Sequence, residues 1–161
     1  MEIRVASESD RSEIVDLYRR SQAATGIPNP DVYPPELLGE ELYARNAIER
    51  YVATSQGQIV GHGLIEHPNP LSISFWRRGI DDYESNMIEL GGAFVEPSHM
   101  RNGIYTELFI HRLSVIRKLG AVPVSATWGQ NLHVQKIFIS AGGKEVARQQ
   151  IAAGELRLFV F

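Results

Sequence analysis

An apolar segment, a short turn and a long amphipathic stretch follow one another in the second half of the sequence. Met87–Val95 has the composition of a buried strand, and Pro97 ends it. Asn102 and Gly103 then precede a stretch whose apolar residues recur at helical spacing: Ile104, Leu108, Phe109, Leu113, Ile116 and Leu119. This order predicts a strand, a glycine turn and a helix with one inward face that ends at Gly120.

The rest of the chain predicts further strands and helices in the order β-α-α-β-β-β-α-β-α-β-β. A capping box at residues 7–10 begins the first helix, and Pro34 and Pro35 begin a second. Gly91 and Gly92 predict a bulge in the central strand. The other strands are predicted at residues 2–6, 51–54, 58–66, 122–128, 144–150 and 155–161, and a last helix at 132–141. We expect an α/β fold with a sheet of about seven strands and helices on both faces.

Length and composition restrict the class of protein. The 161 residues fit a single domain, residues 1–161, and the net charge of -3 comes without any run of basic residues. A nucleic-acid partner is therefore not expected, nor is a membrane, because no long apolar segment is present. The first residues lack the features of a targeting segment, so we expect a cytoplasmic protein.

Side chains that often carry chemistry are absent or badly spaced. The sequence has no cysteine, which excludes disulfides and a thiol nucleophile. Its five histidines lack metal-ligand spacing, so we expect no metal and interpret each of them as a surface or strand-edge residue. That includes the histidine in Gly61-His62-Gly63, which lacks the third glycine of a dinucleotide-binding loop.

Three sequence blocks resemble the GNAT acyltransferase superfamily, whose members transfer an acyl group from coenzyme A to an amine. Phe94-Val95-Glu96-Pro97 matches the family's strand junction, and residues 100–105 match its pyrophosphate loop. Asn131 and the residues through Phe138 to Gly142-Gly143 match its second block. The resemblance extends over nearly the whole chain and implies a GNAT-like mixed, mostly antiparallel sheet.

The same resemblance implies a coenzyme A thioester, acetyl-CoA, as cosubstrate and an amine as acceptor, and the lack of a basic surface favours a small amine. The residues that would contact the cofactor are Phe94, Val95, Met100, Arg101, Asn102, Gly103, Ile104, Tyr105, Asn131 and Phe138. By resemblance, Asn131 would hydrogen-bond the pantetheine or phosphate arm, although an asparagine there is equally explained as a helix N-cap. A backbone N–H near Phe94 could polarise the thioester carbonyl.

Several residues depart from the family pattern. Met100 stands in place of a Gln or Arg, and Tyr105 puts bulk where a small residue is usual. Because backbone N–H groups hold phosphate in such loops, neither change excludes binding. Phe138 stands where the family often has a tyrosine that protonates the thiolate, but a thiol with a pKa near ~8.5 is a tolerable leaving group without it.

Glu89 is the candidate general base, at a strand position that some family members use for a catalytic glutamate. Its alternative interpretation is a strand-edge carboxylate or an ion-pair partner. The acceptor pocket, by resemblance, would involve residues 26–35 and the irregular segment 71–86, whose acids could attract a cationic amine or could simply be solvated.

Two other functions stay open. The departures at Met100, Tyr105 and Phe138 would suit a non-catalytic acyl-CoA-binding or sensor domain of the same fold. A protein N-terminal acetylase is less favoured, because such relatives usually carry a Glu and an Arg where this chain has Ala126 and Trp128. The apolar last strand, 156–161, is a candidate sheet edge for a homodimer.

Overall fold

The computed structural model describes residues 1–25, 47–68, 86–151 and 154–161. Its strands are β1 (Glu2–Val5), β2 (Ala47–Ser55), β3 (Gln58–Glu66), β4 (Met87–Val95), β5 (Val122–Trp128), β6 (Lys144–Ile151) and β7 (Gly154–Val160). Its helices are α1 (Arg11–Thr25), α2 (Ile104–Lys118) and α3 (Leu132–Ser140). The helix predicted from Pro34, the loop 26–35 and nearly all of segment 71–86 lie outside the described residues.

The seven strands form one sheet in the order β1-β2-β3-β4-β5-β7-β6. Strands β4 and β5 are parallel, and the other neighbouring strands are antiparallel. The predicted α/β class with a mixed, mostly antiparallel sheet of about seven strands is therefore confirmed.

Local sequence explains where two elements begin. Before α1, the Ser7 backbone N–H donates to the Asp10 carboxylate at 2.7 Å, and Arg4 donates two hydrogen bonds of 2.8 Å to the same carboxylate. Between β2 and β3, Gln56 and Gly57 both have positive φ, 51° and 79°. A tight two-residue hairpin turn requires that conformation, so the chain reverses there as predicted.

The helices cover both faces of the sheet. Ile14 and Leu17 of α1 pack on Val52 of β2. The neighbouring Ala53 points to the other face, where it joins a core cluster that includes Leu108 of α2. Helix α3 lies on the same face as α2. This places two helices on one side of the strands and α1 on the other.

Three sequence interpretations were wrong. The last strand, expected at the edge of the sheet, is β7, which pairs with β5 on one side and β6 on the other, so β6 forms that edge. Leu119, expected on the inward face of α2, is 56% exposed because the helix ends at Lys118 and the chain turns at Gly120. His62, interpreted as a surface or strand-edge residue, is 1% exposed because β3 lies inside the sheet and the imidazole ring stacks on Phe94, which contacts Tyr18 of α1. No helix in the described part of the chain is long and apolar enough to cross a membrane.

Candidate active site

Strands β4 and β5 separate partway along their length and leave a cavity between them. They pair in register over Met87–Glu89 and Val122–Val124. Beyond that point β5 follows β7, and β4 follows β3. The Ser125 hydroxyl donates to the Leu90 carbonyl at 3.1 Å where the strands part. The resulting cavity has a volume of about 770 Å³.

The β4 wall of this cavity carries the bulge that the paired glycines predict. Gly63 of β3 is opposite Ala93, but the next residue, Leu64, is opposite Gly91. Gly92 is therefore the extra residue, which interrupts the regular ladder of hydrogen bonds. Residues 90–95 all line the cavity. The bulge thus presents backbone groups to whatever the cavity holds.

The end of the cavity is formed by the turn that begins α2. A short 3-10 turn, Pro97–His99, leads to Arg101 with a φ of 67° and Gly103 with a φ of 79°. Ile104, Tyr105 and Thr106 of the first turn of α2 line the cavity. Their N–H groups have no carbonyl partner within the helix, and the positive end of the helix dipole lies here. Such an end suits an anionic group such as a pyrophosphate.

Most of the predicted cofactor residues line this cavity. They are Phe94, Val95, Met100, Arg101, Gly103, Ile104, Tyr105 and Asn131. Asn102, Phe138 and Glu89 are not among the lining residues. Asn102 is exposed on the turn. The cofactor contacts themselves stay predictions.

Asn131 caps a helix and also lies beside the cavity. Its side-chain oxygen accepts a hydrogen bond of 3.3 Å from the Val134 N–H, so it caps α3, and the residue also lines the cavity. Buried Gln135 holds this corner by donating to the carbonyls of Trp128, at 3.0 Å, and Gly129, at 2.7 Å. The capping asparagine is therefore fixed in place beside the cavity.

Phe138 is a core residue. It is 1% exposed and packs against Phe109, Phe159 and Phe161 with ring-centroid distances of 4.9, 5.2 and 5.4 Å. A role for its side chain in contacting the cofactor stays a prediction that the described lining does not support.

Tyr105 lines the cavity. Its ring packs against the main core cluster and is partly buried. Burial raises the pKa of its phenol, and the Arg112 guanidinium opposes that shift. The phenol is therefore a neutral hydrogen-bonding group at ordinary pH.

Glu89 lies on β4 directly opposite Glu66 of β3. Facing residues of an antiparallel pair project to the same side, so the two acidic side chains start from neighbouring positions on one face of the sheet. The Glu66 carboxylate also covers Gly91, since a Cβ there would collide with Glu66 Oε1. Glu89 immediately precedes Leu90, the first β4 residue in the cavity wall. This acidic pair therefore borders the start of the bulge.

Sequence reasoning missed the far wall of the cavity, which Ser125, Ala126, Thr127 and Trp128 of β5 supply. The sequence predicts this strand with its observed bounds, but nothing local indicates that it leaves β4. Ser21 and Gln22 of α1 were missed as well. Among the residues that the structure describes, no group of three or more His, Asp or Glu side chains could hold a metal ion.

Comparison with solved structures gives this architecture a name. A ribosomal-protein-alanine N-acetyltransferase from Brucella melitensis superimposes with a TM-score of 0.73 at 20% identity, covering 100% of this chain and 99% of that one. The chain has the GNAT fold. An N-acetyltransferase from Staphylococcus aureus Mu50 matches with a TM-score of 0.73 at 17% identity, covering 99% and 96%.

A third structure with the GNAT fold, a GNAT family acetyltransferase from Brucella melitensis, is in complex with acetyl-CoA. Its TM-score is 0.68 at 19% identity, with 99% of this chain and 87% of that chain covered. No protein-family model and no curated protein matches the sequence. The likeness therefore rests on three-dimensional structure.

Proposed function

We propose that this protein transfers the acetyl group of acetyl-CoA to an amine. The observation that supports this most is the cavity at the point where β4 and β5 part, with the N-terminus of α2 at its end. An elongated thioester with a pyrophosphate fits such a site, because the helix end would bind the phosphates and the bulge would face the acyl group. Structural neighbours that are acetyltransferases, one of them with acetyl-CoA, agree with this assignment.

The proposed reaction is a direct attack of the neutral amine on the thioester carbonyl. An amine with a pKa near ~10.4 is neutral in only about one molecule in 10³ at pH 7, so removing its proton is the step that most needs help. We assign this role to Glu89, acting directly or through water. Glu89 accepts one proton from the ammonium, and the neutral amine then forms the C–N bond. The C–S bond breaks, and the second proton on nitrogen passes to the departing sulfur, which leaves the amide and the coenzyme A thiol.

The acidic pair also favours a cationic acceptor. Glu66 and Glu89 are facing acidic residues next to the bulge, and negative charge at this place attracts an ammonium group. A small amine is the acceptor we propose. A peptide N-terminus belongs in the test because some neighbours are ribosomal-protein-alanine N-acetyltransferases.

Two measurements test the proposal. Calorimetry should detect binding of acetyl-CoA, and a thiol assay should detect coenzyme A release with a panel of small amines, amino acids and a peptide that begins with alanine. Wild type should turn over at least one amine. Binding without turnover of any acceptor would instead favour an acyl-CoA-binding or sensor domain.

The base is tested separately with Glu89→Gln. We expect kcat to fall about 10²-fold or more, because general-base catalysis contributes about 10²–10⁴-fold. The pH–rate profile should also change, because the group that accepts the proton is gone. Glu8→Gln, an exposed glutamate on the turn before α1, is the control and should behave as wild type. An unchanged pH–rate profile in Glu89→Gln would show that another group accepts the proton.

A further inference from the structure

A fully buried arginine lies in the apolar face of α2. Arg112 is 1% exposed, four residues after Leu108 and four before Ile116, both of which belong to the main core cluster. Its guanidinium packs against Gly63 of β3, where a Cβ would lie 2.8 Å from the Arg112 Cζ. The absent side chain at Gly63 therefore makes the room for this cation.

The guanidinium binds the backbone at the bulge. Arg112 Nη1 donates to the Leu64 carbonyl at 3.0 Å and to the Gly91 carbonyl at 2.8 Å. Leu64 and Gly91 are the pair at which the register between β3 and β4 shifts. Arg112 Nε donates to the Leu108 carbonyl at 3.2 Å within its own helix. A side chain from α2 thus replaces hydrogen bonds where the bulge interrupts the ladder.

The positive charge persists in this setting. Burial lowers the pKa of the guanidinium to about 10, with the phenols of Tyr105 and Tyr51 acting in the opposite direction. Arg112 donates hydrogen bonds to the backbone carbonyls of Leu108, Leu64 and Gly91. A buried cation is costly, and an apolar side chain of similar volume is often tolerated better at such a position. Packing alone therefore does not account for an arginine here.

We propose that Arg112 is a positioning residue for the acyl group, fixing and polarising the Gly91–Gly92 peptide of the bulge that faces the thioester. The peptide is trans, so its C=O and N–H point in opposite directions. Binding the Gly91 carbonyl to Arg112 therefore fixes the direction of the Gly92 N–H. It also strengthens that group as a donor, because hydrogen bonds in a chain polarise one another.

The cation contributes a second effect at the same place. Negative charge develops on the carbonyl oxygen during attack, and a fixed positive charge behind the bulge stabilises it in a site of low dielectric constant. Arg112 does not touch the thioester in this account. The inference rests on the proposed acetyl transfer, but its main test needs only bound acetyl-CoA and no acceptor.

That test measures the infrared stretching frequency of the thioester carbonyl in bound acetyl-CoA. The acetyl carbonyl is labelled with ¹³C. In wild type the stretch should move to lower frequency than in free acetyl-CoA, since the bulge polarises the bond. Arg112→Met should lose much of this shift, and Arg112→Lys should keep part of it. Arg117→Met, an exposed arginine on the same helix, is the matched control and should leave the shift unchanged.

Kinetics provide a second readout once an acceptor is known. Removing one preorganised donor from an oxyanion site costs about 10²–10³-fold in kcat, so loss of a group that acts through such a donor should cost about 10- to 100-fold. We expect Arg112→Met to lower kcat by that factor with little change in the KM for acetyl-CoA. A purely structural role would change thermal stability and leave the carbonyl stretch as in wild type.

The outcomes separate the two proposals. If wild type binds acetyl-CoA and Arg112→Met shows the wild-type carbonyl shift, the role of Arg112 is overturned while acetyl transfer stands. If Arg112→Met does not fold, Gly63→Ala displaces the guanidinium with the charge retained, and an unchanged shift in that variant overturns the proposal equally. Failure of wild type to bind acetyl-CoA would overturn the proposed function itself.

Discussion

Gly61 of β3 lies directly beneath Leu108 of α2. A Cβ at Gly61 would be 2.9 Å from the Leu108 Cδ1 and 2.8 Å from the Ile104 Cγ2. Strand β3 and helix α2 therefore pack closely here because Gly61 has no side chain. Because Ile104 is the first residue of α2, this contact also sets the distance between β3 and the turn at the end of the cavity.

We expect Gly61→Ala to destabilise the protein by about 1–3 kcal/mol, the usual cost of overpacking a core. Acetyl-CoA binding should weaken too, because α2 must move. The check is a double-mutant cycle by urea unfolding with Leu108→Ala, which removes one of the two obstructing side chains. The double variant should be more stable than the sum of the single losses predicts, and simple additivity would contradict the contact.

Gly103 and Gly120 offer a matched pair at the two ends of α2. Both have positive φ, 79° and 68°, and a Cβ at either would meet no atom within 4 Å. Alanine at either position should therefore cost about 1–2 kcal/mol of backbone strain. Only Gly103→Ala should also raise the Kd for acetyl-CoA, since Gly103 lines the cavity. Calorimetry and thermal unfolding of both variants check this, and equal losses of affinity would contradict it.

Asp10 connects β1 to the start of α1 through Arg4. This arginine and the Ser7 N–H hold the pKa of the Asp10 carboxyl well below its ordinary value of 3.8, with burial opposing them. The depressed pKa means that the interaction stabilises the fold above about pH 4 and is lost as the pH falls below that value. Asp10→Asn should cost about 1–3 kcal/mol at pH 7.

Urea unfolding of Asp10→Asn at several pH values checks this dependence. The difference from wild type should shrink as the pH falls below about 4. Asp16→Asn is the control, because Asp16 pairs with Arg19 on the exposed side of α1 and should show little effect at any pH. A constant difference between Asp10→Asn and wild type down to pH 3 would refute the assignment.

His62 should make the fold sensitive to mild acid. Burial lowers its pKa from 6.5 to about 3, with Arg112 and Arg50 adding to the effect, and neither ring nitrogen has a hydrogen-bond partner among the described residues. The folded state therefore keeps this ring neutral. The unfolded state binds a proton as the pH falls below about 6.5, so stability is lost between there and about pH 3.

His62→Leu should flatten the pH dependence of the unfolding free energy near pH 5 by about 1.4 kcal/mol per pH unit, the value for one proton. The exposed His67→Leu serves as the control and should keep the wild-type slope. Chemical unfolding between pH 4 and 7 measures all three proteins. Equal slopes in wild type and His62→Leu would show that another group causes the acid sensitivity.

The sequence predicts the strands well where apolar runs are bounded by glycine or proline. Strands β3, β4 and β5 have their observed bounds because turns at Gly57, Pro97 and Gly120 punctuate them. Strand β2 was predicted too short, at 51–54, since Glu49 and Arg50 interrupt its apolar pattern. Its full length, Ala47–Ser55, depends on pairing with β3, which is a tertiary interaction.

The site was predictable on its β4 and α2 side and not on its β5 side. The loop motif locates residues 100–105 directly, whereas the divergence of β5 from β4 has no local signal. Arg112 was also missed, although it falls within the apolar repeat of α2 and faces Gly63, one of two alternating glycines of β3. A charged residue within the apolar repeat of a helix, together with a glycine-containing strand in the same sequence, is the signal that could have identified Arg112.

The seam between β4 and β5 has a mechanical consequence. In the described residues, the four-stranded part of the sheet from β1 to β4 joins the three-stranded part through Met87–Glu89, Val122–Val124 and the Ser125 hydroxyl. A force that pulls the two parts of the sheet apart therefore falls on a short row of hydrogen bonds and on the helices packed across both parts. A ligand bound in the cavity would contact both β4 and β5 and would therefore resist the same force. Ligand binding should thus make the whole sheet more rigid.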